Sequence, residues 1–145
     1  MSTFDKILSA VLIAAIGLCI GFIIYLSITP SSNDKFTEFY ILNENGKASD
    51  YPFVVKAGEP VTVVLGLINH EYQPVNYKIL IKQNGAIIKT VTTGLLPDKQ
   101  KWEEKVDFTI EGSGKSQSEF YLFTDDDKEP HIKDPLILKL NIEQL

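Results

Sequence analysis

The sequence predicts an all-β, immunoglobulin-like antiparallel sandwich of seven or eight strands, preceded by one N-terminal transmembrane helix. Three observations carry this expectation. Residues Ile7 to Ile28 contain no charged side chain. From Phe36 onward, short runs rich in β-branched and aromatic residues alternate with turn signals, and no long helical period develops. Several of those runs alternate apolar with polar residues, so one face of each strand would meet a core and the other water. The expected division is a flank over residues 1–6, a membrane helix over 7–28, a linker over 29–35 and the sandwich over 36–145.

The apolar run ILSAVLIAAIGLCIGFIIYLSI is about 22 residues long, roughly 33 Å as a helix, which matches a bilayer core. Asp5 and Lys6 flank one end, and Asn33, Asp34 and Lys35 the other. Tyr25 lies where an interfacial aromatic is placed, and Thr29-Pro30-Ser31-Ser32 ends the helix. A cleaved signal peptide would carry a shorter apolar stretch and a small-x-small site; this run continues and closes in Leu-Ser-Ile-Thr-Pro. Cys19 invites a lipoprotein reading, but Leu18 precedes it where a small residue is needed, and the apolar run continues past it. Lys6 and the terminal amine on one side, against Lys35 on the other, give a slight positive-inside bias that sends the C-terminal domain out. Ala10, Ala14, Gly17 and Gly21 fall on one face at spacings of four, three and four. Small faces let helices approach closely in lipid, so this stripe points to a packing interface with another transmembrane helix.

The strands follow in order. FTEFYIL precedes NENGK, whose Asn45-Gly46 is a strong turn dipeptide. FVVK is closed by AGEP, and VTVVLGLIN runs into HEYQP. VNYKILIKQ and AIIKTVTT flank Asn84-Gly85, a strong hairpin signal. GLLPDKQ separates that hairpin from KWEEKVDFTI, EGSGKSQ leads to SEFYLFT, and DDDKEPHIKD leads to PLILKLNIE. Trp102, Val106, Phe108 and Ile110 share a face, with Glu104 as the exception; Leu136, Leu138, Leu140 and Ile142 share another. Trp102 is large enough to anchor the core.

Composition removes some functions. The chain has 145 residues and a formal net charge of −5, and all 14 of its basic residues are lysines. Arginine is the preferred residue for bidentate phosphate and base contacts, so an acidic, arginine-free domain argues against nucleic-acid binding. With Cys19 alone no intrachain disulfide forms. Gly112-Ser113-Gly114-Lys115 is too short for a phosphate loop and does not open a helix.

FTEFYILNENGKASDYP, GEPVTVVLGLINHEYQPVNYKI and KWEEKVDF resemble the exported β-domain of an uncharacterised archaeal and bacterial membrane family, domain of unknown function 1616. The likeness covers roughly Phe36 to Phe108. Its most specific elements are Phe36 to Tyr40, Gly58-Glu59 and Asn69-His70-Glu71. The resemblance implies a β-domain beside the membrane and supplies no activity. Members with several membrane helices ahead of this domain carry features that one helix does not bring. KAGEPVTVVLGLINHEYQPVNYKILIKQNG also looks like cell-adhesion-related immunoglobulin-like domains of prokaryotic surface proteins, a fold-level likeness.

Two stretches hold chemistry-bearing residues. In INHEYQPVNY, Asn69, His70 and Glu71 stand together. Neighbours in a regular strand face opposite ways and do not chelate one ion, zinc and copper sites need three or four ligands, and the only other histidine, His131, lies in a distant loop. The expectation is an inter-strand corner, structural or docking, in which Asn69 turns the chain and bonds its backbone. In DDDKEPHIKD, Asp125, Asp126, Asp127 and Glu129 offer clustered oxygens of the kind calcium takes, but the EF-hand spacing and its turn glycine are absent. A solvated acidic loop is the preferred reading. No catalytic set, resident metal or cofactor is expected.

The functional expectation is a non-catalytic, single-pass accessory or scaffolding subunit of a larger membrane complex, with an extracytoplasmic sandwich. Its expected partners are the lipid bilayer and other transmembrane subunits. The alternative is a stand-alone cell-surface binding module for envelope polymers or substrates, using an aromatic platform of Tyr40, Tyr51 and Tyr72.

Overall fold

The computed structural model describes residues 2–29, 35–52 and 54–144. The linker residues Pro30 to Asp34, and Phe53 at the head of the expected FVVK strand, lie outside the described residues. The chain divides into two units, Met1–Lys35 and Phe36–Leu145, each taken by itself below.

The first unit is one helix, α1, Thr3–Ile28. It starts four residues before the uncharged run because Ser2 caps it. The Ser2 hydroxyl accepts from the Asp5 N–H at 3.3 Å, and the Asp5 carboxylate accepts from the Ser2 N–H at 2.9 Å. At the other end the hydroxyls of Ser27 and Thr29 donate to the carbonyls of Ile23 and Tyr25, both at 2.8 Å. Both hydroxyls are thereby satisfied within the helix. No residue of α1 is buried within the chain.

The second unit has eight strands: β1 (Phe36–Asn43), β2 (Val54–Lys56), β3 (Pro60–His70), β4 (Val75–Gln83), β5 (Ala86–Leu96), β6 (Lys101–Thr109), β7 (Gly114–Thr124) and β8 (Leu136–Glu143). They form a three-stranded sheet, β1-β3-β6, and a five-stranded sheet, β2-β8-β7-β4-β5. All pairings are antiparallel except β2 with β8, which is parallel, so the expected purely antiparallel pattern holds for all but this short edge. β5 runs on to Leu96, through residues expected as a loop, because a bulge beside Gly94 (φ 71°) lets the strand bend and continue. β7 likewise begins at Gly114, since Lys115 to Gln117 pair with β8.

The core lies between the sheets. Leu65 and Leu67 of one meet Tyr77, Ile79, Ile81, Phe120 and Leu122 of the other, all buried. Phe108 and Phe120 pack edge to face across the gap, with ring centres 5.8 Å apart. Trp102 is partly buried at the margin of this core instead of anchoring its centre. Glu104 has the inward parity of Leu65, its register partner, yet it is exposed, because β6 is an edge strand. Lys89 is its counterpart on edge strand β5: opposite the buried Ile81, it swings out and its ammonium donates to the Asp107 carbonyl of β6. Inward charges on both neighbouring edges discourage further strand pairing there. The outer face of the smaller sheet holds one tight contact. A Cβ on Gly66 would come within 2.2 Å of the Tyr40 ring, so only glycine lets the ring lie across β3 to donate to Glu103 at 2.6 Å. Burial, then the Glu103 bond, push the Tyr40 phenol up to about 12.

Candidate functional site

Two of the three loops that link strands at one end of the sandwich carry both stretches singled out by sequence. β3 leaves the smaller sheet through Glu71–Pro74 to reach β4 in the larger one; residues 97–100 bring β5 back to β6; residues 125–135 join β7 to β8. Asn69 fastens the first two connections together. Its side chain is fully buried, donating to the carbonyls of Gln73 at 2.8 Å and Leu96 at 2.9 Å and accepting from the Glu71 N–H at 2.8 Å. Its backbone also bonds Lys99 and Gln100. The backbone bonding expected of Asn69 is therefore present, but Asn69 remains in the strand; the left-handed residue of the corner is Tyr72, with φ 60°.

His70 and Glu71 diverge, as adjacent strand positions do. His70 turns to the outer face, stacks on Phe36 at 4.4 Å and meets Glu38 at 3.0 Å. Glu71 turns the other way and meets His131. The His131 Nε2 lies 2.8 Å from Glu71 Oε1, and its Nδ1 lies 3.0 Å from Asp127 Oδ2. Thr37 of β1 donates to the same Glu71 oxygen at 2.8 Å, and the Tyr77 hydroxyl of β4 lies 2.9 Å from Thr37 Oγ1. Since Thr37 has a single proton and gives it to Glu71, Tyr77 is the donor to Thr37. Burial pushes the Tyr77 phenol up, which keeps that proton in place. Asp127 also accepts from the Thr124 N–H at 3.2 Å. Burial alone would raise its carboxyl, but the Thr124 and His131 bonds outweigh this and hold it below the usual range.

The set therefore unites β1, the β3–β4 corner, β4 and the β7–β8 loop. The ring is held between two carboxylates, each within hydrogen-bond reach of one of its nitrogens. Asp127, His131 and the Thr37 hydroxyl follow the order of an acid–base–nucleophile triad, but Glu71 occupies Nε2, while Thr37 stands 3.4 Å away and spends its proton on Glu71. The cluster is built to clasp two loops. It borders an open cleft of about 450 Å³ lined by Glu71, Asn76 and Asp125 to Asp127.

The carboxylates of the acidic loop do not converge. Asp125 accepts from Asn76 at 2.7 Å, Asp127 is taken by His131, and Asp126 and Glu129 are exposed. Among the described residues no group of three or more His, Cys, Asp or Glu side chains is placed to hold a metal ion. Tyr40, Tyr51 and Tyr72 do not form the expected platform. Tyr40 lies on the outer face of the smaller sheet, Tyr51 packs against the core with its hydroxyl on the Ile41 carbonyl, and Tyr72 stands exposed at the corner. Sequence reading missed the Glu71–His131 contact, because the two residues lie 60 positions apart and each looks isolated in its own stretch.

A family model described as a domain of unknown function, DUF1616, matches residues 30–143. No curated protein matches the chain. Among solved structures, the chain is similar to the CARDB domain of the PF1109 protein from Pyrococcus furiosus, crystallised in complex with di-metal ions, with a TM-score of 0.57, 15% identity, and 81% of this chain and 99% of that one covered. A β-glucosidase from Listeria innocua matches with a TM-score of 0.55 and 9% identity over 74% of this chain, which spans 16% of that enzyme. At these identities the likeness establishes the immunoglobulin-like fold alone.

Proposed function

From the premise that the chain belongs to the DUF1616 family, we propose that it is a non-catalytic, helix-anchored accessory subunit of a larger membrane complex, with its sandwich on the extracytoplasmic side. The observation that carries this reading is α1: 26 residues, strongly apolar, self-capped, and with none of its side chains buried in the chain. Such a surface is costly in water and matched to lipid. Ala10, Ala14, Gly17 and Gly21 give the helix its small face, and a Cβ at either glycine would meet nothing within 4 Å. That leaves room for the backbone of a second helix. The clasp of Glu71, His131 and Asp127 supports a non-catalytic role, since both ring nitrogens of His131 are taken by carboxylates.

Extraction in mild detergent followed by native mass measurement tests the proposal. The expected result is a defined hetero-complex that dissociates when Gly17 and Gly21 are both changed to Leu. A monomer in the unmodified protein, or a complex indifferent to G17L/G21L, overturns it.

A further inference from the structure

The two outer faces of the sandwich differ in charge. On the larger sheet Lys78 and Lys82 of β4, Lys115 of β7, Lys139 of β8 and Lys56 of β2 all have outward parity. Among the described strand residues only Glu119 and Glu143 oppose them on that face, with Asp125 at its edge bonded to Asn76, so it is net positive in a chain whose formal charge is −5. Among the described residues none of these five lysines forms an ion pair. Glu119, the one acid in the middle, is already engaged by the Tyr121 hydroxyl and by Gln117. The smaller sheet's outer face is mixed by contrast, with Glu38, Glu103 and Asp107 against Lys101 and Lys105.

Apolar side chains are interleaved with the lysines on this face. Leu80, Tyr121 and Phe123 are half-buried there and Ile137 is half exposed. Lys82 lies 4.8 Å over the Tyr121 ring and Lys78 5.7 Å over that of Phe123. Apolar area set among unpaired charges of one sign offers a protein partner both burial and charge complementarity. A glycan stacks on open ring faces, and here a lysine occupies each. A two-fold contact with a second copy would set lysine against lysine. We propose that this face docks an acidic protein surface, one that presents carboxylates among apolar side chains. The proposal rests on the accessory-subunit reading for the existence of such a partner, but its test does not need that partner.

The probe is a fluorescent amphipathic peptide of leucine and glutamate, titrated into the full chain in mild detergent beside a matched leucine–lysine peptide and a polyuronate. The leucine–glutamate peptide is expected to bind, to weaken as salt rises, and to lose about tenfold or more in affinity in K78E/K82E/K139E. K78Q/K82Q/K139Q should fall between, and K101E/K105E on the other face should bind as the unmodified chain does. Preference for the polyuronate overturns the protein-partner assignment. Absence of binding, or equal loss in K101E/K105E, overturns the face itself. Peptide binding by a chain that native mass shows to be monomeric would keep this surface and discard the accessory-subunit reading.

Discussion

A buried asparagine stands at each end of the sandwich, and the two do different work. Asn43 closes β1 and serves its own turn: its side-chain Oδ1 accepts from the N–H groups of Asn45 and Lys47, and its side-chain amide donates to the Ser49 carbonyl at 2.6 Å. Those partners lie within six residues and belong to an exposed turn. Asn69 makes the same number of side-chain bonds, but one reaches Leu96, 27 positions away and buried, in the other sheet. One asparagine shapes a loop, and the other fixes where a strand leaves one sheet with respect to the returning chain. The difference teaches that the cost of losing a polar side chain depends on whether water can replace it at the partners left behind.

Replacing Asn69 with Ala should therefore break the comparison hardest. The Leu96 carbonyl stays buried without its partner and the corner loses two more bonds, for a loss of roughly 3 kcal/mol in chemical denaturation. Asn43→Ala frees groups that water reaches, so about 1 kcal/mol is expected. Equal losses at the two positions would refute the distinction. N69D, which keeps the acceptor toward Glu71 and loses the donors toward Gln73 and Leu96, should fall close to N69A.

Much of the sandwich was legible in the sequence, and the limits are physical. Alternation in VNYKILIKQ and PLILKLNIE gave β4 and β8 nearly to their bounds, because one-sided burial imposes period two. Asn-Gly at 84–85 gave the hairpin, where Asn84 and Gly85 take φ values of 50° and 82°. The Asn69 corner was legible as a corner, since polar, proline-containing sequence interrupts apolar runs. Its partner was not: nothing local in GLLPDKQ marks Leu96 as the acceptor. Parallel pairing of β2 with β8 was also hidden, because three residues carry too little pattern to choose a direction. Glu104 looked like an error in its face and became intelligible only once β6 was seen to be an edge.

The clasp sharpens the same comparison with smaller effects. It bonds across loops as Asn69 does, yet Asp127 and His131 stay partly exposed, with side-chain exposures of 30% and 26%, so water competes as it does at Asn43. H131Q should cost under about 1 kcal/mol. Its signature is in pH. Because bonds from Thr124 and His131 hold the folded Asp127 carboxyl below its unfolded value, the group adds stability that is present above the unfolded value and disappears as pH falls through the folded one. Thermal midpoints measured from neutral pH down to about 3 should fall in the native chain and fall less in Asp127→Asn, which has no proton to gain. Glu103 and Glu119, also held low by tyrosine bonds, supply the slope that remains in that variant. If Asp127→Asn instead follows the native acid limb throughout, the carboxylate contributes nothing there, and the cross-loop bond that matters at this end is the one made by Asn69.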